Sequence, residues 1–525
     1  MHPTGPAVHY RCSDGCWKYD GAFMPAQVTT RAQVNGYRFL IRRLEHALIR
    51  ADSRMIHDPM RGQMRSLVVG LVIGVLIAGA AGVLAFFKPT PNLGDAQILL
   101  SKSSGALFVR IGDRVHPVLN LASARLIVGK SDTPKEVDDK FLNQLALGPS
   151  VGIIGAPSSV HVANEPGTSS WTVCDSLHTP KPTDAAGTTS IETTVVASNP
   201  VLDNDIRAAS PQDMIVARSA DTVFLIYQGL RAPIDITNPV LMSALHLRGG
   251  AIRDVSPGLL NAIPLVDPIV PMAIAGAGDN ADYLGPGYRV GSILKTSDSL
   301  GQQLYVVLRQ GLQPISVATA DIIRYSGSAP VAADEPRDVS PALLSKVPVV
   351  HSLPVDHYPG ASPRIVDAAP DQVVCLAWQR AANATRASTR LLIGQRLPLP
   401  RQAEPVRLAT ADGSGPGLDN VYLTPGTGEF VEATDVEPDS GATGQLFYIS
   451  DTGVRFWIKD LPSATALGIN GAHTDSTKSE APHLAPWPII SLLPPGPALS
   501  QEGALIAHDG MPADPRGKTV EPPKG

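Results

Sequence analysis

The chain has 525 residues, with 43 Lys+Arg against 48 Asp+Glu, a net charge of −5 and a pI near 6.2. That balance excludes a basic nucleic-acid binder, and 4 cysteines in this length exclude a small disulfide scaffold. Pro and Gly, at 48 and 47, are high for a globular enzyme but short of a disordered chain, and the length predicts several domains or repeats rather than one core.

In chain order, residues 1–23 are rich in Gly, His, Cys and aromatics and read as a non-native extension from an upstream start codon. Cys12 and Cys16 form a C-x3-C with no second pair, which falls short of a zinc site. Residues 24–65 form a basic arm. Its Tyr37, Leu40, Ile41, Leu44 and Leu48 recur at helical spacing among Arg38, Arg42, Arg43 and Arg50. That apolar stripe is too small to bury itself, so it predicts docking on a cytoplasmic partner or on the inner leaflet; the bland alternative is an orientation anchor.

Residues 66–87 run for 22 residues without a charge, enough to cross about 30 Å of hydrocarbon as a helix. Eight arginines and three acidic residues precede this segment between residues 24 and 65, while only Lys88 follows closely. Positive charge stays inside, so the N-terminus is expected in the cytoplasm and residues 88–525 outside. Gly70, Gly74, Ala78 and Gly82 place small residues on one helix face, where another membrane helix can pack; glycine is also simply common in such helices.

Outside the membrane a local unit repeats. Apolar strands near 107, 223, 304 and 446 are each followed by a Gly turn and a second strand, a β-hairpin. A short helix follows each hairpin and is expected to stop at Gly129, Gly249, Gly327 or Gly468. A second helix opens in an Arg-Asp-Val-Ser-Pro frame at 253–257 and again at 337–341, with Ser as N-cap and Pro at the first helical position. Looser copies fall at 137–147 and 487–493. Such a unit cannot bury its faces without neighbours. The predicted division is linker 88–96, repeats at 97–150, 218–287, 288–350 and 421–509, a central domain from 151–217 and 351–420, and a tail at 510–525. Central strands are expected at 151–155, 171–174, 193–196, 373–378 and 390–393. Cys174 and Cys375 each sit in one beside a Trp. In an oxidising exterior they are the natural disulfide pair; otherwise they are two buried thiols.

The fold class is therefore α+β, with one transmembrane helix and an elongated periplasmic domain of four hairpin/two-helix repeats around a β-rich centre. The stretches at 33–47, 104–129, 151–157, 169–175, 291–296 and 496–509 carry a resemblance. Together they resemble the EccB family, membrane components of the type VII (ESX) secretion systems of mycobacteria and relatives, over about residues 24–515. The resemblance implies a single-pass inner-membrane protein working with EccC, EccD and EccE-like subunits and near the mycosin protease, as a homodimer or higher oligomer. It implies repeats similar to the wall-binding units of a phage lysin. It also carries the disulfide onto Cys174 and Cys375.

Members of that family are described as ATPases, which sets an alternative to a structural subunit. The nearest phosphate-loop match, residues 124–131, ends in Gly129-Lys130-Ser131 but has Ala124 where the motif needs Gly, and a bulky apolar interior that cannot form an amide nest. Residues 148–152 match G-x-S-x-G but lack the strand-before, helix-after setting of a nucleophile elbow. His116, His351 and His357 sit beside prolines or in loops and form no ligand set. No catalytic residue, metal or cofactor is expected, ATP included, and the structural reading is preferred.

Overall fold

The computed structural model describes residues 30–51, 59–86, 95–160, 168–178, 189–298, 301–327, 335–381, 384–413, 416–441, 443–469 and 482–510. The extension 1–23, most of the linker 88–96 and nearly all of the tail 510–525 lie outside them. The chain divides into two compact parts, residues 1–92 and 93–525. In the first part lie the helices Arg31–Arg50 and Pro59–Phe86. Met64–Val83 is, among the described residues, the one stretch of helix long and apolar enough to cross a membrane.

In the second part the repeat is a four-stranded sheet with two helices, one strand more on each side than the hairpin pattern shows. In unit 2, Asp213–Ser219 pairs antiparallel with Thr222–Tyr227, which pairs with Leu230–Pro233; Arg253–Asp254 then pairs parallel with the first strand. Unit 3 repeats this with Ile293–Asp298, Gly301–Leu308, Gly311–Ile315 and Arg337–Asp338. Unit 4 uses Gly428–Thr434, Leu446–Ser450, Arg455–Trp457 and His483–Pro486. Unit 1 uses Ile98–Ser101, Leu107–Ile111, Arg114–Pro117 and Lys135–Val137. In unit 2 the turn at Gln228 and Gly229 has φ of 50° and 78°, the backbone that a tight two-residue hairpin requires.

The first helices are Leu121–Val128, Pro239–Ala244, Val317–Tyr325 and Leu461–Leu467. Gly129 and Gly468 cap theirs in the left-handed conformation. The other two end before the expected glycines: unit 2 stops at Ala244, and Ser326 rather than Gly327 caps unit 3. The second helices are Asp139–Leu142, Pro257–Ala262, Pro341–Leu344 and Trp487–Ile490.

The central sheet has seven strands in the order Val406–Arg407, Asn420–Tyr422, Ser190–Val196, Thr168–His178, Val373–Ala381, Ser388–Gly394, Ile206–Ala208. One expected central strand is displaced. Of residues 151–155 only Val151 is in a strand, Ser150–Val151, and this pairs with Ala507–His508 at the edge of unit 1. The expected boundary at 217/218 cuts through the first strand of unit 2.

Three cores join these pieces. Trp171, Val173, Leu376 and Trp378 on one face of the central sheet pack with Leu259 and Leu260 of unit 2 and with Ile489 and Ile490 of unit 4. Units 2 and 3 share a second core around Leu241, Leu245 and Ile322. Units 1 and 4 share a third around Leu126, Phe456 and Leu467. The units therefore neighbour one another in the order 1–4–2–3, not in chain order. First helix meets first helix between units 1 and 4 and between units 2 and 3; second helix meets second helix between units 4 and 2.

Candidate functional site

The chemistry-bearing residues gather at joints rather than in a reactive cleft. Period-2 alternation puts Trp171 and Val173 on the shared-core face of the central sheet and Cys174 on the other. Cys174 and Cys375 lie directly opposite on adjacent antiparallel strands, with Cα atoms 4.0 Å apart, and are joined by a disulfide across 201 residues.

Beside the disulfide, the Arg253–Pro257 frame grips both cross-linked strands. Asp175, fully buried, accepts hydrogen bonds from the Ser256 N–H at 2.6 Å, the Ser256 hydroxyl at 2.7 Å and the Thr193 hydroxyl at 3.0 Å. Ser256 also caps its helix, accepting from the Leu259 N–H at 3.0 Å. Arg253 donates to the carbonyls of Asp371, at 2.5 Å, and Gln372, just before the Cys375 strand. Burial raises the Asp175 carboxyl above its ordinary value despite these donors, and burial lowers the Arg253 guanidinium. A second joint closes on Asp213. Burial would raise this carboxyl, but hydrogen bonds from Arg207 at 2.8 Å, the Ser210 N–H at 2.8 Å and Arg364 at 2.7 Å overcome it and hold the group at about 2. The duplicated frame pointed to Arg253 and Ser256 in sequence; nothing marked Asp175 or Asp213, whose farthest partners lie 81 and 151 residues away.

The other expected residues lie on the two N-terminal helices. Tyr37, Leu40, Ile41, Leu44 and Leu48 share Arg31–Arg50 and are all exposed, Leu44 at 61% and Leu48 at 82%. Thr30 caps the start of this helix, and its N–H donates to the Gln33 side chain at 3.0 Å. Gly70, Gly74 and Gly82 lie on Pro59–Phe86 with nothing within 4 Å of an added Cβ, and Ala78 continues their spacing. Lys130 and Ser131 come after the Leu121–Val128 helix and its Gly129 cap. A phosphate loop needs the opposite order, because its anion sits on a helix N-terminus. In 148–152, Ser150 enters a strand rather than a turn before a helix. His116 holds the Pro149 carbonyl at 2.9 Å.

The family model described as "Type VII secretion system ESX-1, transport TM domain B" matches residues 26–513. The chain belongs to the EccB family. Among the EccB relatives, the ESX-3 secretion system ATPase EccB3 of Mycobacterium tuberculosis is 36% identical, covering 93% of this chain and 91% of its own length. The ESX-5 secretion system ATPase EccB5 of the same organism is 34% identical over 93% and 95%. Two solved EccB assemblies share the fold. A chain of an intact ESX-5 inner membrane complex matches with a TM-score of 0.66 and 32% identity, over 95% of this chain and 99% of its own. A chain of the EccB3 dimer from the ESX-3 core complex matches at 0.64 and 32%, over 78% and 100%. The EccB family is thus part of the type VII secretion system, and the two matched chains come from an ESX-5 inner membrane complex and an ESX-3 core complex.

Proposed function

We propose that the chain is a structural subunit of a type VII secretion inner-membrane complex. One helix would anchor it, its N-terminal arm would face the cytoplasm, and its repeats would lie on the periplasmic side for oligomerisation and assembly during protein export. The observation that carries this reading is the match to a chain of an intact ESX-5 inner membrane complex over 95% of this sequence. The fold adds support: buried Asp175, Ser256, Arg253 and Asp213 are taken up in joints between unit 2 and the central sheet. The apolar stripe of Arg31–Arg50 supplies a docking face for EccC, EccD or EccE-like subunits, and the small-residue face at Gly70, Gly74, Ala78 and Gly82 supplies one for a neighbouring membrane helix. A mycosin-type protease is the expected neighbour outside.

The names of the relatives favour a second reading, an ATPase of the same system. The two separate in one experiment. Leu44→Asp or Leu48→Asp places a charge on the arm's apolar stripe, where burying it unpaired breaks a docking surface. These variants are expected to lose co-purification with the other membrane subunits in mild detergent and to stop secretion, with the exterior part still folded. Lys130→Ala is expected to secrete normally. Normal secretion by the arm variants together with failure of Lys130→Ala would overturn the structural reading.

A further inference from the structure

Within the row 1–4–2–3, unit 4 departs from its copies at two positions. Opposite the aromatic residue of the middle hairpin strand, units 1, 2 and 3 carry Pro117, Pro233 and Pro314, paired with Phe108, Phe224 and Tyr305; unit 4 carries Trp457, paired with Phe447. The second helix opens on Pro257 in unit 2 and on Pro341 in unit 3, but on Trp487 in unit 4. Both tryptophans are exposed, at 39% and 43%. Two large rings left in solvent where other copies hold a small one mark a contact surface, because Trp carries more contact energy than any other side chain of its stiffness.

Arg455 lies two residues before Trp457 and so shares its face of the strand. Its guanidinium is 5.1 Å from the Phe447 ring and 4.7 Å from the Trp487 ring, and those two rings stack at 5.8 Å. The counterpart in unit 2, Arg231, lies 5.4 Å from Phe224 and donates its Nε to the Ile263 carbonyl at 2.9 Å. The Nε of Arg455 is buried and makes no hydrogen bond. Burial lowers the Arg455 guanidinium, and among the described residues no carboxylate offsets it. An arginine held against two rings is thus short of both an acceptor and a counter-charge.

Such a face suits an extended, proline-containing segment that brings a carboxylate. Polyproline segments dock on aromatic surfaces at low entropic cost, and a carboxylate is the strong partner of a guanidinium. The chain carries such a segment in its tail, with Pro512, Pro515, Pro522 and Pro523, and with Glu521 directly before the last pair. The tail also starts close enough. Leu499 pairs with Ile458, the neighbour of Trp457. From Leu499 to Gly510 the chain, which includes the helical turn Gln501–Ala504, spans at most about 30 Å. Residues 511–522 cover about 37 Å as polyproline helix.

We propose that Glu521, Pro522 and Pro523 dock on the Arg455, Trp457 and Trp487 face of the same chain, with the Glu521 carboxylate on the Arg455 guanidinium and the prolines against the indoles. These tail residues lie past residue 513, where the family match ends. The contact is made within one chain, so it can fail while the membrane complex still forms.

The test uses the full chain in membranes, in a Cys12→Ser, Cys16→Ser background. Lys524→Cys is combined with Pro495→Cys, an exposed position that pairs with Arg455. Mild oxidation is expected to close an intramolecular disulfide, while Gln302→Cys in unit 3, in place of Pro495→Cys, gives only background. Glu521→Lys, which changes no residue of unit 4, should reduce the product about tenfold, the scale of one charge-assisted hydrogen bond. A second readout needs no engineered cysteine: trypsin should cut after Lys518 about tenfold faster in Trp487→Ala than in the unaltered chain, on the scale of losing one aromatic contact. No disulfide above background together with an unchanged trypsin rate, a disulfide that Glu521→Lys leaves unchanged, or one formed only between two chains overturns the contact.

Discussion

Asp175 and Asp213 are both buried and both hold units together, yet acid should affect them in opposite ways. Burial dominates at Asp175 and raises its pKa above the ordinary 3.8. Its contribution to stability is full below the unfolded value and falls as pH rises through the folded one. At Asp213 burial would raise the carboxyl, but hydrogen bonds from Arg207, the Ser210 N–H and Arg364 outweigh it together and lower it from 3.8 to about 2, so its contribution is full above 3.8 and is lost between 3.8 and 2 as pH falls. Asp213→Asn should therefore lose most stability near neutral pH, with the gap to wild type closing in acid. Asp175→Asn should lose most at low pH, with the gap narrowing as pH rises. Thermal unfolding of both variants across pH decides this, and parallel pH profiles would refute it. Ser340, the counterpart of Ser256, has no side-chain cap bond and, among the described residues, no such carboxylate partner, so Ser340→Ala should leave the melting temperature nearly unchanged.

At the scale of elements, one sequence position does different work in two repeats. Gly258 approaches Leu492 across the joint between units 2 and 4, while Ala342 in the same place faces solvent. Gly258→Val should overpack that joint and cost about 1–3 kcal/mol, whereas Ala342→Val should cost little; urea midpoints compare them, and equal costs would deny the packing role. The hairpins, both helices of each unit and the cysteine strands were legible because alternation, Gly turns and the Ser-Pro start are local signals. The strands Arg253–Asp254 and Arg337–Asp338 were not, although they lie inside the recognised frame. Two residues show no period, and their strand character comes from pairing parallel to a strand about 36 to 43 residues earlier. Residues 151–155 were misassigned for a related reason. An apolar run can serve any sheet, and the partner that claims Val151 is Ala507, near the other end of the chain. The acidic partners of the joints were illegible throughout, since only the folded backbone brings Asp175 to Ser256. The arm stripe and the membrane-helix glycines were legible as periodicity alone, and what they dock on is a matter for the co-purification test.

Across the whole molecule the disulfide fixes how the row is threaded. The loop between Cys174 and Cys375 encloses units 2 and 3, while units 1 and 4 come from the chain on either side. Closing a loop of 201 residues limits the unfolded chain by roughly 5 kcal/mol in chain-entropy models. That bond persists only in an oxidising compartment, and the same compartment is implied independently by the eight arginines that precede the membrane helix. The two arguments point to one compartment, so one pair of measurements tests the orientation. Asn92→Cys, a few residues beyond the helix, should react with a membrane-impermeant thiol reagent in intact cells. Ser53→Cys, before the helix, should react only after lysis. Cys12 and Cys16 are replaced by Ser in both so that they add no signal. Non-reducing alkylation of the same preparations should leave Cys174 and Cys375 unmodified. Labelling of Asn92→Cys only after lysis, with Cys174 and Cys375 alkylated, would place the repeats in the cytoplasm and remove the basis for a periplasmic assembly domain.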